Sequence, residues 1–108
     1  MPNVTLFLPA HTMPPDTALS DLTEQCTELC TGLLLAAVEN VHVIYVPVLH
    51  GRGRPIFAEV RYRLAAARTP TTMAQFMEGL DDAIRQATGF EARIRCFGYA
   101  AHCIHARN

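Results

Sequence analysis

Residues 56–64 read IFAEVRYRL, an unbroken alternation that puts Ile56, Ala58, Val60, Tyr62 and Leu64 on one side of an extended chain and Phe57, Glu59, Arg61 and Arg63 on the other. Only a strand, with its two-residue period, sorts these side chains in this way. One side is apolar and fit for a core, and the other is polar and charged. A helix signal follows. Thr69 is placed to cap, Pro70 fits the first helical position, and Met73, Phe76, Met77, Leu80, Ile84 and Ala87 recur at helical spacing up to Gly89. Beyond it ARIRCF at 92–97 alternates Arg93, Arg95 and Phe97 against Ile94 and Cys96. The second half of the chain therefore reads strand, helix, strand.

Working back towards the N-terminus, the same order recurs. Pro2 to Leu8 is a strand-like run that begins at the second residue and stops at Pro9. After a loop with His11, Pro14 and Pro15, the positions Leu19, Leu22, Cys26, Leu29, Cys30, Leu33 and Ala37 repeat as one face of a long helix, with Asp16 near its first turn. Val41 to Val48 (VHVIYVPV) is β-branched and almost continuously apolar, as expected of a strand covered on both faces, with Pro47 marking where pairing ends. His50 to Pro55 is a Gly-rich loop whose Arg52 and Arg54 read as a solvent-exposed turn. The halves, residues 1–54 and 55–108, align as an internal repeat with an offset of about fifty residues. Pro2 matches Pro55, and Val41-His42-Val43 matches Ala92-Arg93-Ile94. The expected fold is α+β: one domain, a duplicated βαβ chain with a four-stranded mixed sheet and both helices on one face. A dimeric α+β barrel has a similar order along the chain and stays open at this point.

Composition removes several functions. The chain has 108 residues, half of them hydrophobic, and a formal net charge of −1, which suits a globular domain and excludes the basic excess of a nucleic-acid binder. All nine cationic side chains are arginines, so Schiff-base chemistry and a phosphate-binding P-loop lysine are excluded. Cys26 and Cys30 lie on the apolar helix face and read as core. His102-Cys103-Ile104-His105 lacks a partner pair with closed-site spacing, so no metal is expected, and Ser20, the only serine, has no base beside it. Residues 4–10 are apolar but too short for a signal or a membrane span, which makes the cytoplasm the expected location and a membrane partner unexpected.

The charged strand face is the feature that points to a ligand. Glu59, Arg61, Arg63, Arg93 and Arg95 share it, and residues 41–68 hold five arginines against one acid. Such a face binds a small anion, or forms an ion-pair network at a subunit interface with Glu59 as one partner.

A proline directly after the initiator methionine, at the head of the first strand of a duplicated βαβ chain, resembles the tautomerase superfamily. Val41-His42-Val43 followed by a Gly-containing loop and Pro55 is similar to the macrophage migration inhibitory factor branch. PIFAEVRYRL at 55–64 and ARN at 106–108 are similar to the 5-carboxymethyl-2-hydroxymuconate isomerase branch. The resemblance spans nearly the whole chain. It implies a homotrimer with an active site around each N-terminal proline near a subunit boundary, no cofactor, and a small anionic keto or enol acid as substrate.

In that reading Met1 is removed and the secondary amine of Pro2 is the catalytic base, shuttling a proton between carbon and oxygen. A free α-amine has a pKa of about 8, and burial beside arginines lowers it towards neutrality. The resemblance puts Arg93 in the place of the strand arginine that binds the substrate carboxylate and polarises the enolate, with His42 in the matching place of the first half. Arg95 adds to it from the same face, Arg61 is a further anion contact and Phe97 walls the pocket. This chain has His11-Thr12 where the small tautomerases carry another substrate arginine, and it gains a base only when Met1 is gone. Decarboxylation and hydration are chemistries of the same fold. The alternative is a non-catalytic oligomeric module of that fold that binds a small anion or serves assembly.

Overall fold

The computed structural model describes residues 1–108. The chain runs β1 (Asn3–Pro9), α1 (Asp16–Gly32), β2 (His42–Val48), β3 (Ile56–Arg63), α2 (Pro70–Thr88) and β4 (Ala92–Tyr99). The four strands form one sheet in the order β2-β1-β3-β4. Each half contributes a parallel pair, β1 with β2 and β3 with β4, and the halves meet where β1 runs antiparallel to β3. This is the expected mixed sheet.

The alternation of β3 is realised as read. Ile56, Ala58, Val60 and Tyr62 are buried together with Val4, Leu6 and Leu8 of β1, Leu22, Cys26 and Cys30 of α1, and Met73, Phe76, Leu80 and Ile84 of α2. A single core therefore lies between the two helices and one face of the sheet. Each large aliphatic or aromatic side chain fully buried there contributes roughly 1.5–3 kcal/mol, which is what holds the two helices to the four strands. The helix signals in the second half are also met. The Thr69 hydroxyl accepts from the Thr72 N–H at 3.2 Å, and Gly89 takes the left-handed conformation, φ +77°, with its N–H on the Arg85 carbonyl at 2.8 Å. No helix is long and apolar enough to cross a membrane.

Three expectations are corrected. Helix α1 stops at Gly32 and does not reach Ala37. The chain turns back because Leu35 adopts φ +55° and the Ala36 N–H bonds the Cys30 carbonyl at 3.1 Å. Leu34 still enters the core, and its burial offsets the roughly 1–2 kcal/mol that a left-handed non-glycine residue costs. Second, β2 is an edge strand paired only with β1, and His42, Ile44 and Pro47 are exposed, so it is not covered on both faces. Pairing also continues past the proline, with Leu8 opposite Pro47 and Pro9 opposite Val48. The His42 N–H points inward to the Pro2 carbonyl, and alternation along a parallel strand then turns position 47 to the open edge, where the missing N–H costs no ladder bond. Third, Leu64 lies past the end of β3 and is half exposed instead of continuing the apolar row.

Candidate functional site

The antiparallel pairing of β1 and β3 puts Asn3 opposite Arg61, so the end of β3 lies beside the start of β1. Arg63, and Arg68 in the turn that follows, are thereby carried to the N-terminus. They line a cavity of about 360 Å³ whose other walls are Met1, the segment Leu35–Ala37, Asn40, Ala106 and Asn108. Arg68 is fixed in place. Its Nε donates to the Leu34 carbonyl at 2.9 Å and its Nη1 to the Arg63 carbonyl at 2.6 Å. Those bonds leave Nη2 of a planar guanidinium for an anion. Leu35, with its left-handed backbone, forms part of the same cavity.

Pro2 is fully buried and its nitrogen is in peptide linkage to Met1, the residue that lines the cavity. Its carbonyl accepts from the His42 N–H at 3.1 Å, which ties the head of β1 to the head of β2. The registers then set His42, Asn3, Arg61 and Phe97 in one row across the four strands. Within that row Arg61 is already engaged. It donates to Glu59 at 2.7 Å, and this hydrogen bond and charge raise the guanidinium pKa further.

Arg93 and Arg95 lie elsewhere. Arg93 is in register with Phe57, which is opposite Phe7, four residues along β1 from Asn3. At about 3.3 Å per residue this is roughly 13 Å from the head of the strand. There the sheet face forms a groove of about 560 Å³, with Phe7 and Phe57 stacked at its floor, ring centroids 5.8 Å apart and planes 16° from parallel. Arg93, Arg95 and Phe97 stand along it, and His50, Arg52 and Arg54 of the loop reach over it. Arg54 is ion-paired with Glu91, which Arg85 also approaches at 3.7 Å.

The structure thus brings Arg93, Arg95 and Phe97 together, and His42 and Arg61 into one row, but within one chain it separates Pro2 from Arg93 and Arg95. Arg63, read from the sequence only as part of the charged strand face, and Arg68, given no role there, are the arginines that the structure places beside the N-terminus. The signal was available: antiparallel pairing of the two repeat-opening strands necessarily brings the end of one to the beginning of the other. Cys26, Cys30 and Cys96 are packed in or against the core, where desolvation raises their thiols to about 12, 11 and 11. No three histidine, cysteine, aspartate or glutamate side chains are grouped closely enough to hold a metal ion.

A duplicated βαβ chain of this length, with sheet order β2-β1-β3-β4 and a proline at the head of the first strand, has the fold of the tautomerase superfamily. Among solved structures it is similar to a member of the cis-3-chloroacrylic acid dehalogenase family, with 14% identity over 97% of this chain and 80% of that one and a TM-score of 0.81. Macrophage migration inhibitory factor from Toxoplasma gondii is similar at 14% identity over 97% of this chain and 96% of that one, TM-score 0.78. A fused 4-OT wild type symmetric trimer is similar at 12% identity over 98% and 94%, TM-score 0.81. No protein-family sequence profile and no curated protein sequence matches the chain.

Proposed function

We propose that this chain is a cofactor-independent cytoplasmic tautomerase or isomerase that moves a proton within a small anionic keto–enol acid, with Pro2 as the base once Met1 is removed. The observation that carries the reading is the setting of Pro2. It is buried at the head of β1 in a tautomerase-superfamily fold, and Met1, bonded to its nitrogen, lines a cavity that also holds Arg63 and Arg68. Loss of Met1 turns a tertiary amide into a secondary amine and frees its lone pair towards that cavity.

The chemistry is balanced without any co-reactant. The amine takes a proton from the carbon next to the keto group, the C–H electron pair becomes the C=C of an enolate, and the charge moves onto oxygen. The same proton, now on the ammonium, returns to oxygen or to another carbon. Arginines hold the carboxylate and stabilise the oxyanion. Arg63 and Arg68 do so from the chain that supplies Pro2. Arg93 and Arg95 lie too far along the sheet to reach their own Pro2, so they act from a second copy, with Phe97 walling the groove they share, and the active unit is an oligomer. A homotrimer is the assembly supported by likeness to a structure described as a symmetric trimer. His42 and Arg61 flank the entrance, Arg61 keeping its Nη groups for substrate while its Nε holds Glu59.

The test begins with the intact mass of untagged protein. A mass lighter by one methionyl residue, followed by keto–enol interconversion of an α-keto acid that Pro2→Ala lowers by about a hundredfold or more with an unchanged circular dichroism spectrum, is the expected result. Full activity in Pro2→Ala, or activity in protein that keeps Met1, would overturn the reading.

A further inference from the structure

The groove over Phe7 and Phe57 holds more cationic and aromatic surface than the proton transfer needs. Arg52, Arg93 and Arg95 line it, and none of the three forms an ion pair. These three guanidinium groups line the groove with no carboxylate among its lining residues, the nearby Glu59 and Glu91 being paired with Arg61 and Arg54, and such a set matches a doubly charged tetrahedral anion better than a carboxylate. A phosphate ester presents three terminal oxygens to planar donor forks, whereas a carboxylate presents two and a single charge. The floor adds a second requirement. Stacked phenyl rings with a half-exposed Phe97 beside them form an apolar platform on which a flat ring gains both buried area and ring-on-ring contact. A volume of about 560 Å³ is in the range of organic ligand sites and far exceeds what a bare oxyanion fills.

We infer that this groove binds an aromatic phosphomonoester, with the ring on Phe7 and Phe57 and the phosphate between Arg52, Arg93 and Arg95. The inference deepens the functional reading, because it rests on Arg93 and Arg95 belonging also to that site, but it requires nothing of Pro2. Arg52 is then a specificity residue, set on a loop whose Gly53 takes φ +100°.

Calorimetric titration of the full chain at pH 8 and low salt tests it, using phenyl phosphate, benzoate and inorganic phosphate. Phenyl phosphate is expected to bind at least about tenfold more tightly than either of the others. Arg52→Ala, at an exposed loop position that leaves the fold intact, and Arg93→Ala are each expected to weaken it about tenfold. Phe57→Leu should abolish the preference for phenyl phosphate over inorganic phosphate. Binding should also fade as pH falls below about 6, where the ester loses its second charge. A nucleoside monophosphate in place of phenyl phosphate tells whether the ring is a base or a simple aryl group. Equal binding of benzoate, equal binding of inorganic phosphate, or indifference to Arg52→Ala overturns the inference. Turnover of a keto acid by protein that does not bind phenyl phosphate sinks this inference alone, and binding without turnover sinks the tautomerase reading alone.

Discussion

The Arg68 guanidinium donates to the Leu34 carbonyl across 2.9 Å, and through its other arm to the carbonyl of Arg63, so one side chain ties the turn that follows α1 to the end of β3. Both segments border the N-terminal cavity. Arg68→Ala is expected to cost about 1.5–3 kcal/mol, the range for hydrogen bonds from a charged donor, and to lower the thermal midpoint by several degrees. Arg68→Lys should recover only part of the loss, since an ammonium cannot reproduce the planar fork. A lysine variant that melts with the parent would show that the fork is not used.

Leu35 sits at φ +55° with 67% of its surface exposed, so the fold bears the backbone cost of a left-handed leucine for little burial at that residue. Leu35→Gly is expected to raise stability by about 0.5–1 kcal/mol, the left-handed cost less the extra entropy of glycine in the unfolded chain. Urea midpoints of the two proteins decide it.

At Gly98 of β4 a side chain has nowhere to go. An added Cβ would lie 2.6 Å from a Leu64 methyl and 2.9 Å from Cζ and Oη of Tyr62, whose ring is rigid and buried. Gly98→Ala should therefore destabilise by about 1–3 kcal/mol. Combined with Tyr62→Leu the losses should be less than additive, because the smaller side chain removes the clash.

Burial raises the three inner thiols from 9.0 to about 12 for Cys26 and about 11 for Cys30 and Cys96. The unfolded chain gives up these protons near pH 9 while the folded chain keeps them, so the unfolded state binds fewer protons and stability falls as pH rises through 9 to 12. Urea midpoints measured from pH 8 upward should decline, and more gently in Cys26→Ala. At pH 8 a thiol-alkylating reagent should label exposed Cys103 and leave the other three until urea is added.

The parts of this structure legible in the sequence are those set by local periodicity. The two-residue period of 56–64 and the Thr69-Pro70 to Gly89 helix appear where the residues demand them. What misled was chemistry that local pattern does not encode. Leu33, Leu34 and Leu35 look like more helix, but the turn at Leu35 buries Leu34 from a different direction. Val41 to Val48 is apolar enough for a central strand, yet its place at the edge is set by the order of pairing. The site divided along the same line. That Arg93, Arg95 and Phe97 share a face followed from alternation, while the arrival of Arg63 and Arg68 beside Met1 depended on strand direction, a tertiary property.

The loop from His50 to Pro55 is the sole covalent link between two units that already share a strand ladder, β1 on β3, and a core built from both helices. Nothing in those contacts needs the link. A single tryptic nick after exposed Arg52, the one arginine of the loop not followed by proline, would leave two fragments that stay married and migrate as one particle. Mixing the separately made halves is then a route to the whole fold, and each half can be varied while the other is held constant.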